Sequence, residues 1–192
     1  MAQSYIKRIL NAQVYDVARE TPLDAAPLLS ARLGNQAFLK REDLQPVFSF
    51  KCRGAYNKMI HLDEAARAGG VVAASAGNHA QGVALAASKL GIKATIVMPV
   101  TTPLIKVDAV KALGAKVVMH GDSFDEAAVR ARGLTESEGF TFIHPFDDPD
   151  VIAGQGTVAV ELVRQAQQPL DYVFVCCGGG GLLAGMAAYL RY

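Results

Sequence analysis

Five short apolar runs, each separated from the next by a helical pattern or a turn, constrain this chain more than any other feature. Val71-Val72-Ala73-Ala74, Thr95-Ile96-Val97-Met98, Lys116-Val117-Val118-Met119, Thr141-Phe142-Ile143 and Tyr172-Val173-Phe174-Val175 are short, β-branched and unalternating. That is the pattern of strands buried on both faces. Between them, Val83, Ala86, Ala87 and Leu90 share one helical face before Gly91, and Pro103 opens a second helix with Gly114 just past its end. Ser123 with Glu126 forms a capping box ahead of Phe124, Ala127, Ala128 and Ala131. Repeated strand-helix units with short links predict an α/β fold, a parallel sheet with helices on both faces.

The flanks are less regular. The pattern predicts a helix around residues 4–18, a Pro-containing stretch Thr21-Pro22-Leu23 and a strand near Ala37-Phe38-Leu39-Lys40. Asp147-Asp148-Pro149-Asp150 marks a turn and a boundary, its aspartates reading as solvated turn residues without basic partners. The chain ends on Ala188-Tyr189-Leu190-Arg191-Tyr192, inside a helical pattern. A sheet with one strand-helix unit after its boundary would leave a wide apolar edge uncovered, so a fragment is expected.

Composition narrows the partners. Lys and Arg total 19 against 18 acidic residues, which leaves no net field to favour nucleic acid or an anionic membrane. A small-molecule partner is expected. Cys52, Cys176 and Cys177 form neither a disulfide framework nor a metal-ligand spacing, so no metal is expected and a reducing cytoplasmic setting is. The N-terminus has no apolar signal core and no run reaches membrane-spanning length.

Lys51 stands where folding rules would not place a lysine. The turn chemistry of Asp43-Leu44-Gln45-Pro46, the N-cap type Ser49 and the helical spacing of Cys52, Ala55, Tyr56, Met59 and Ile60 put it in a first helical turn. The helix dipole disfavours a cation there, and flanking Phe48 and Phe50 would desolvate it, both of which push a lysine toward a neutral, nucleophilic amine. The alternative is a lysine snorkelling from a helix end.

Two loop-to-helix junctions follow strands. Ser75-Ala76-Gly77-Asn78-His79-Ala80-Gln81-Gly82 offers small residues whose N–H groups can face a carboxylate at a helix N-terminus. Gly178-Gly179-Gly180-Gly181-Leu182 spends backbone entropy on four consecutive glycines, as a close approach of phosphate to the main chain would require. Taken singly, Asn78 reads as an N-cap, Ser75 as a strand-end hydroxyl, His79 as structural, and Cys176 and Cys177 as small core residues. Gly179-x-Gly181-x-x-Ala184 fits the looser dinucleotide fingerprint, whereas the same spacing at Gly154, Gly156 and Ala159 follows a turn and reads as chance. An activated lysine, an anion-binding Asn loop and a glycine cradle on one scaffold point together to pyridoxal phosphate chemistry.

These three segments resemble the signatures of the threonine dehydratases (threonine ammonia-lyases), of the tryptophan-synthase-β-like pyridoxal phosphate fold. The likeness also runs through Leu39-Lys40-Arg41-Glu42-Asp43 and His144-Pro145-Phe146-Asp147. It implies that Lys51 holds pyridoxal 5'-phosphate as the Schiff-base lysine, that Phe50 and Asn78 flank or hydrogen-bond the cofactor ring, and that Gly178, Gly179, Gly180, Gly181 and Leu182 cradle its phosphate. Ser75, Gly77, Asn78 and His79 would receive the substrate carboxylate. It implies further that residues 1–44 begin a larger domain, 45–146 form a smaller α/β domain and 147–192 return to the larger one, incomplete here. The activity implied is deamination of L-threonine to 2-oxobutanoate and ammonia, toward isoleucine, with serine as a side substrate, in a full-length homo-oligomer (dimer or tetramer). A catabolic threonine or serine dehydratase is an alternative. Serine racemases of the same fold carry a hydroxyl at the position of Ala76, which disfavours racemisation here. A non-catalytic dinucleotide-binding module reading its ligand through Gly179 and Gly181 is the rival from another class, and it leaves Lys51 unexplained.

Overall fold

The sheet at the centre of the fold is parallel, as the five runs predict, but it contains four of them. In a computed structural model that describes residues 2–192, with side chains from residue 5 onward, β3 (Val71–Ala74) lies between β4 (Ala94–Met98) and β6 (Thr141–Phe142), and β5 (Lys116–Met119) pairs with β4. All three pairings are parallel, with Val71 opposite both Ala94 and Thr141. The helices between these strands are α5 (Asn78–Leu90), α6 (Leu104–Ala112) and α7 (Phe124–Glu138).

Alternation within each strand feeds two cores. Val71, Ala73, Ile96 and Met98 face a cluster with Val83, Ala84 and Ala87 of α5, while Val72, Ala74 and Val97 face Ala127, Ala131 and Leu134 of α7. Period-2 geometry sends successive side chains to opposite faces, so a strand covered on both sides must be apolar throughout. The capping reading holds with one change. Ser123 accepts the Glu126 N–H at 3.3 Å, but the Glu126 carboxylate returns to the Asp122 N–H, at 2.6 Å, one residue before the cap.

The N-terminal part differs from the sequence reading. The first helix, α1, covers Ala2–Leu10 rather than continuing to residue 18, and Leu23–Ala25 forms β1, antiparallel to β2 (Phe38–Lys40), with α2 (Pro27–Leu33) between them. Val14, Val17 and Ala18 are nevertheless buried, so the apolar spacing that mimics a longer helix is satisfied by an irregular, core-packed segment. After α3 (Lys51–Ile60) and α4 (Glu64–Gly69) the chain enters the sheet.

Beyond β6, α8 (Pro149–Gln165) packs with α1, α3 and α9 (Gly181–Leu190), and α9 also packs with α1. Asp148 caps α8 by accepting the N–H groups of Asp150 and Val151, and it pairs with Lys58 at 2.8 Å, while Asp150 pairs with Arg8 at 2.9 Å. Two of the three aspartates are therefore structural ion-pair partners, contrary to the reading from their turn alone. The glycines of the second fingerprint lie inside α8. A Cβ on Gly154 would stand 2.7 Å from the Arg53 carbonyl and 2.7 Å from the Gly54 Cα, so this spacing serves close helix packing.

The fifth run does not form a strand. Tyr172–Val175 is irregular, Phe174 is 94% exposed, and Cys176 and Cys177 are exposed rather than core residues. A strand needs a neighbour to receive its N–H and C=O groups, and among the described residues none runs beside it. No described helix is long and apolar enough to cross a membrane.

Candidate active site

The strand order β5-β4-β3-β6 places a topological switch at β3: the chain proceeds from β3 to β4 and β5 on one side, then returns to β6 on the other. In open parallel sheets ligands bind outside the carboxyl ends of the strands at such a switch. Here those ends carry the Ser75–Asn78 loop after β3 and the Ile143–Asp147 segment after β6.

Lys51 reaches this crevice from the first position of α3. Its Nζ donates to the Pro145 carbonyl at 2.6 Å and lies 5.6 Å from the centroid of the Phe50 ring. The Ser49 hydroxyl accepts the Lys51 N–H at 3.3 Å, although Phe50, already in helical conformation, is the boundary residue. Burial pulls the Lys51 ammonium below the ordinary lysine value, opposed by the neighbouring Cys176 thiol. Phe48 has no part in this. It adopts a left-handed φ of 56° and is 76% exposed, so the desolvation comes from Phe50 and the surrounding fold.

The loop after β3 turns sharply into α5. The Ser75 hydroxyl accepts the Gly77 N–H at 3.1 Å, and Gly77 is the boundary residue, so Asn78 is the first helical residue and not a side-chain cap. Asn78 is exposed, Ser75 and Gly77 are half-buried, and the N–H groups of Asn78 and His79 have no acceptor among the described residues. The His79 ring is buried against β6, with Nε2 2.9 Å from the Ile143 carbonyl. A carbonyl only accepts, so Nε2 carries the hydrogen and Nδ1 the lone pair, which is buried without a partner. Desolvation, aided by Lys51 and His144, lowers the His79 pKa to about 4 despite the bond to Ile143, so the ring is neutral at pH 7.

The glycine loop lies against Phe146 in the segment after β6. Gly180 has a φ of 87°, Gly181 begins α9, and the N–H groups of Gly179 to Leu182 have no acceptor among the described residues. Gly178 and Gly179 are exposed, Gly181 is buried, and the Leu182 side chain packs on the cluster of Val158, Ala159, Leu162 and Met186. Where a Cβ would stand on Gly179 it would run into the Phe146 ring, and on Gly181 it would lie 2.7 Å from the Phe146 carbonyl. Lys51 and the glycine loop thus meet the two halves of one dipeptide, Pro145-Phe146.

An uncapped N-terminus of a ten-residue helix, opened by glycines, suits a phosphate, and a desolvated amine suits an aldehyde. The residues present therefore fit pyridoxal phosphate. The profile of the pyridoxal-phosphate dependent enzyme family matches residues 14–192. The chain belongs to this family. It is 62% identical over 190 residues to a biosynthetic, chloroplastic threonine dehydratase of Arabidopsis thaliana, an alignment covering 99% of this chain and 32% of that protein. It is 54% identical to the biosynthetic L-threonine dehydratase of Escherichia coli, over 97% of this chain and 36% of that one. Among solved structures, the processed form of threonine deaminase isoform 2 from Solanum lycopersicum superposes with a TM-score of 0.95 at 54% identity, over 99% of this chain and 52% of that chain. Maize serine racemase superposes with a TM-score of 0.92 at 36% identity, over 97% of this chain and 57% of that chain. The chain spans about a third of the length of the curated relatives it matches.

The helix that carries Lys51 is anchored by a cluster that the sequence reading missed. Arg53, fully buried, donates to Glu161 at 2.6 and 3.0 Å and to Glu42 at 2.8 and 2.8 Å, and Glu161 also accepts from Lys40 at 2.6 Å and from the Tyr15 hydroxyl at 2.9 Å. Its signal was present in the sequence: Glu161 interrupts the apolar run Val158-Ala159-Val160 and Leu162, and a charge on an apolar helix face needs a buried partner.

Proposed function

We propose that the protein carrying this chain deaminates L-threonine to 2-oxobutanoate and ammonia, with serine as a secondary substrate giving pyruvate. The observation that carries the reading is Lys51, an amine lowered by burial and placed at the sheet switch, facing the uncapped glycine loop across Pro145-Phe146. The biosynthetic threonine dehydratase names of the relatives at 54% and 62% identity support the choice of substrate.

Lys51 Nζ would hold the cofactor, and the N–H groups of Gly178 to Leu182 would receive its phosphate. When bound, pyridoxal phosphate supplies an electron sink that makes the substrate Cα–H acidic. The free Lys51 amine accepts the Cα proton; its lowered basicity leaves more of it unprotonated at neutral pH. The first N–H groups of α5, with Ser75 and Gly77, would orient the substrate carboxylate, and Asn78 and Phe50 would border the cofactor ring. His79 contributes through its main-chain N–H, because its ring is already held by Ile143. Loss of the β-hydroxyl as water and return of one water at the α-carbon balance threonine against 2-oxobutanoate and ammonia. Ala76 offers no hydroxyl to return a proton on the other face of the α-carbon, which favours elimination over racemisation.

The same reading assigns residues 1–44 and 147–192 to a larger domain and 45–146 to a smaller one, with a first step toward isoleucine in a homo-oligomeric cytoplasmic enzyme. Loading the full-length protein with pyridoxal phosphate, reducing it with borohydride and mapping the labelled peptide tests the site: the label belongs on Lys51, and a label elsewhere sinks the assignment. Turnover of threonine above that of serine is expected, and a hydrophobic pocket that recognises one methyl group separates them by about 10- to 200-fold. A preference for serine overturns the substrate reading.

A further inference from the structure

The glycine loop cannot hold its own shape. Gly178 to Gly181 have no side chains to pack, and each can visit both signs of φ. Anions bind best to N–H groups that are fixed before the ligand arrives. Something outside the loop must fix these.

Phe146 occupies that place. The heavy atoms nearest to where Cβ atoms would stand on Gly179 and Gly181 all belong to it: the ring for Gly179, and the main chain with Cβ for Gly181. Phe146 is itself braced from β6. Its N–H donates to His144 Nδ1 at 3.3 Å, the two rings meet edge to face at 4.7 Å and 84°, and the His144 ring lies 6.0 Å from that of Phe142. The Asp147 N–H also donates to His144 Nδ1, at 2.7 Å, which closes the turn around the ring. The residue before Phe146 presents its carbonyl to Lys51 Nζ at 2.6 Å.

We infer that Phe146 is a positioning residue for the phosphate cradle: its ring and main chain set the spacing of the Gly179 to Leu182 N–H groups, and the Pro145 carbonyl ties that spacing to Lys51. This rests on the proposed pyridoxal phosphate site and goes beyond it by naming what shapes the loop. Phe146 makes no contact with the reacting atoms in this role. Its loss should therefore be felt through the phosphate and not through the aldehyde that Lys51 receives.

The test compares two ligands that differ only in the phosphate. Apo full-length protein is titrated with pyridoxal phosphate and with pyridoxal, followed by absorbance, for the wild type, Phe146→Ala and Phe146→Leu. In Phe146→Ala, pyridoxal phosphate binding should weaken about tenfold or more, the scale of one charge-assisted hydrogen bond lost, while pyridoxal binding changes less than about twofold. Phe146→Leu, which keeps apolar bulk, should fall between, and it decides the matter on the same ratio if the alanine variant does not fold. Amide hydrogen exchange of residues 178–182 in the apo protein should rise in the variants. Equal weakening of both ligands, or no weakening of either, overturns the inference alone. A wild type that binds no pyridoxal phosphate overturns the cofactor reading, and this inference with it.

Discussion

Replacing Arg53 with methionine should destabilise the protein by about 3 kcal/mol, near the lower end of the range for removing one partner of a buried ion pair. The guanidinium makes six hydrogen bonds, to Glu42, Glu161, Thr157 and the Arg19 carbonyl, with both it and the Glu161 side chain fully buried. The lower end applies because the abandoned carboxylates keep other partners. Glu161 retains Lys40 and Tyr15, and Glu42, whose side chain is 13% exposed, retains the Thr21 hydroxyl at 2.6 Å. Methionine also fills most of the space of the arginine stem, so little cavity cost is added. Urea unfolding at pH 7, followed by circular dichroism for the wild type, Arg53→Met, Glu161→Met and the double variant, measures the coupling. The double variant should be more stable than the sum of the singles by about 1–3 kcal/mol, since a buried charge is not then left alone. Additive losses, or an Arg53→Met loss below about 1 kcal/mol, would refute the reasoning. The same cluster fixes a pH dependence. Burial alone would raise the Glu161 carboxyl, but the hydrogen bonds and charges of Arg53 and Lys40 outweigh it and hold it below its ordinary value. Its stabilisation is therefore complete above the unfolded carboxylate value and is lost as pH falls through the lower folded one.

Two further perturbations probe neighbouring parts of the structure. Gly154→Ala places a methyl 2.7 Å from the Arg53 carbonyl and the Gly54 Cα, main-chain atoms that cannot swing aside, so a loss of about 2 kcal/mol or more is expected in the same urea assay; a neutral substitution would mean that α8 and α3 are not in close contact. His79, held neutral with its pKa at about 4, takes up a proton on unfolding below pH 6.5, so stability is complete above that value and about 3 kcal/mol is lost as pH falls toward 4. His79→Gln should flatten that part of the stability profile, and an unchanged slope counts against the buried neutral ring.

Local signals were legible wherever the physics is local. The strands at 71 and 95 announce themselves because they are buried on both faces, whereas those at 116 and 141 are only partly buried, with Lys116 and Met119 exposed, and were legible from their β-branched and aromatic residues; Gly91 closes α5 with a φ of 67° that only its lack of a side chain makes easy. Lys51 was legible as an exception to helix-dipole and burial rules, and Gly178 to Gly181 as an entropy cost needing a reason. Pairing and long-range contact were not legible. Leu23–Ala25 has only three residues and becomes a strand through β2, while Arg53 and Glu161 are 108 residues apart and mark each other only once α3 lies on α8. Phe48 misled for a related reason: an aromatic next to a lysine in sequence need not lie next to it in space, and its left-handed backbone turns it to solvent.

The Tyr172–Val175 segment shows the limit most clearly. Its β-branched and aromatic residues satisfy every local criterion for a buried strand, yet strand propensity measures the fit of a side chain to neighbours on a pleated surface, and among the described residues no strand runs beside it. The glycine loop that follows packs against Phe146, so a residue just beyond β6 touches the cradle at residue 179. The His144-Pro145-Phe146-Asp147 run has no feature of a binding motif in isolation. Its meaning comes from the switch in strand order, which sets β6 beside β3 and so brings Pro145 to Lys51 and Phe146 to the glycines in one step.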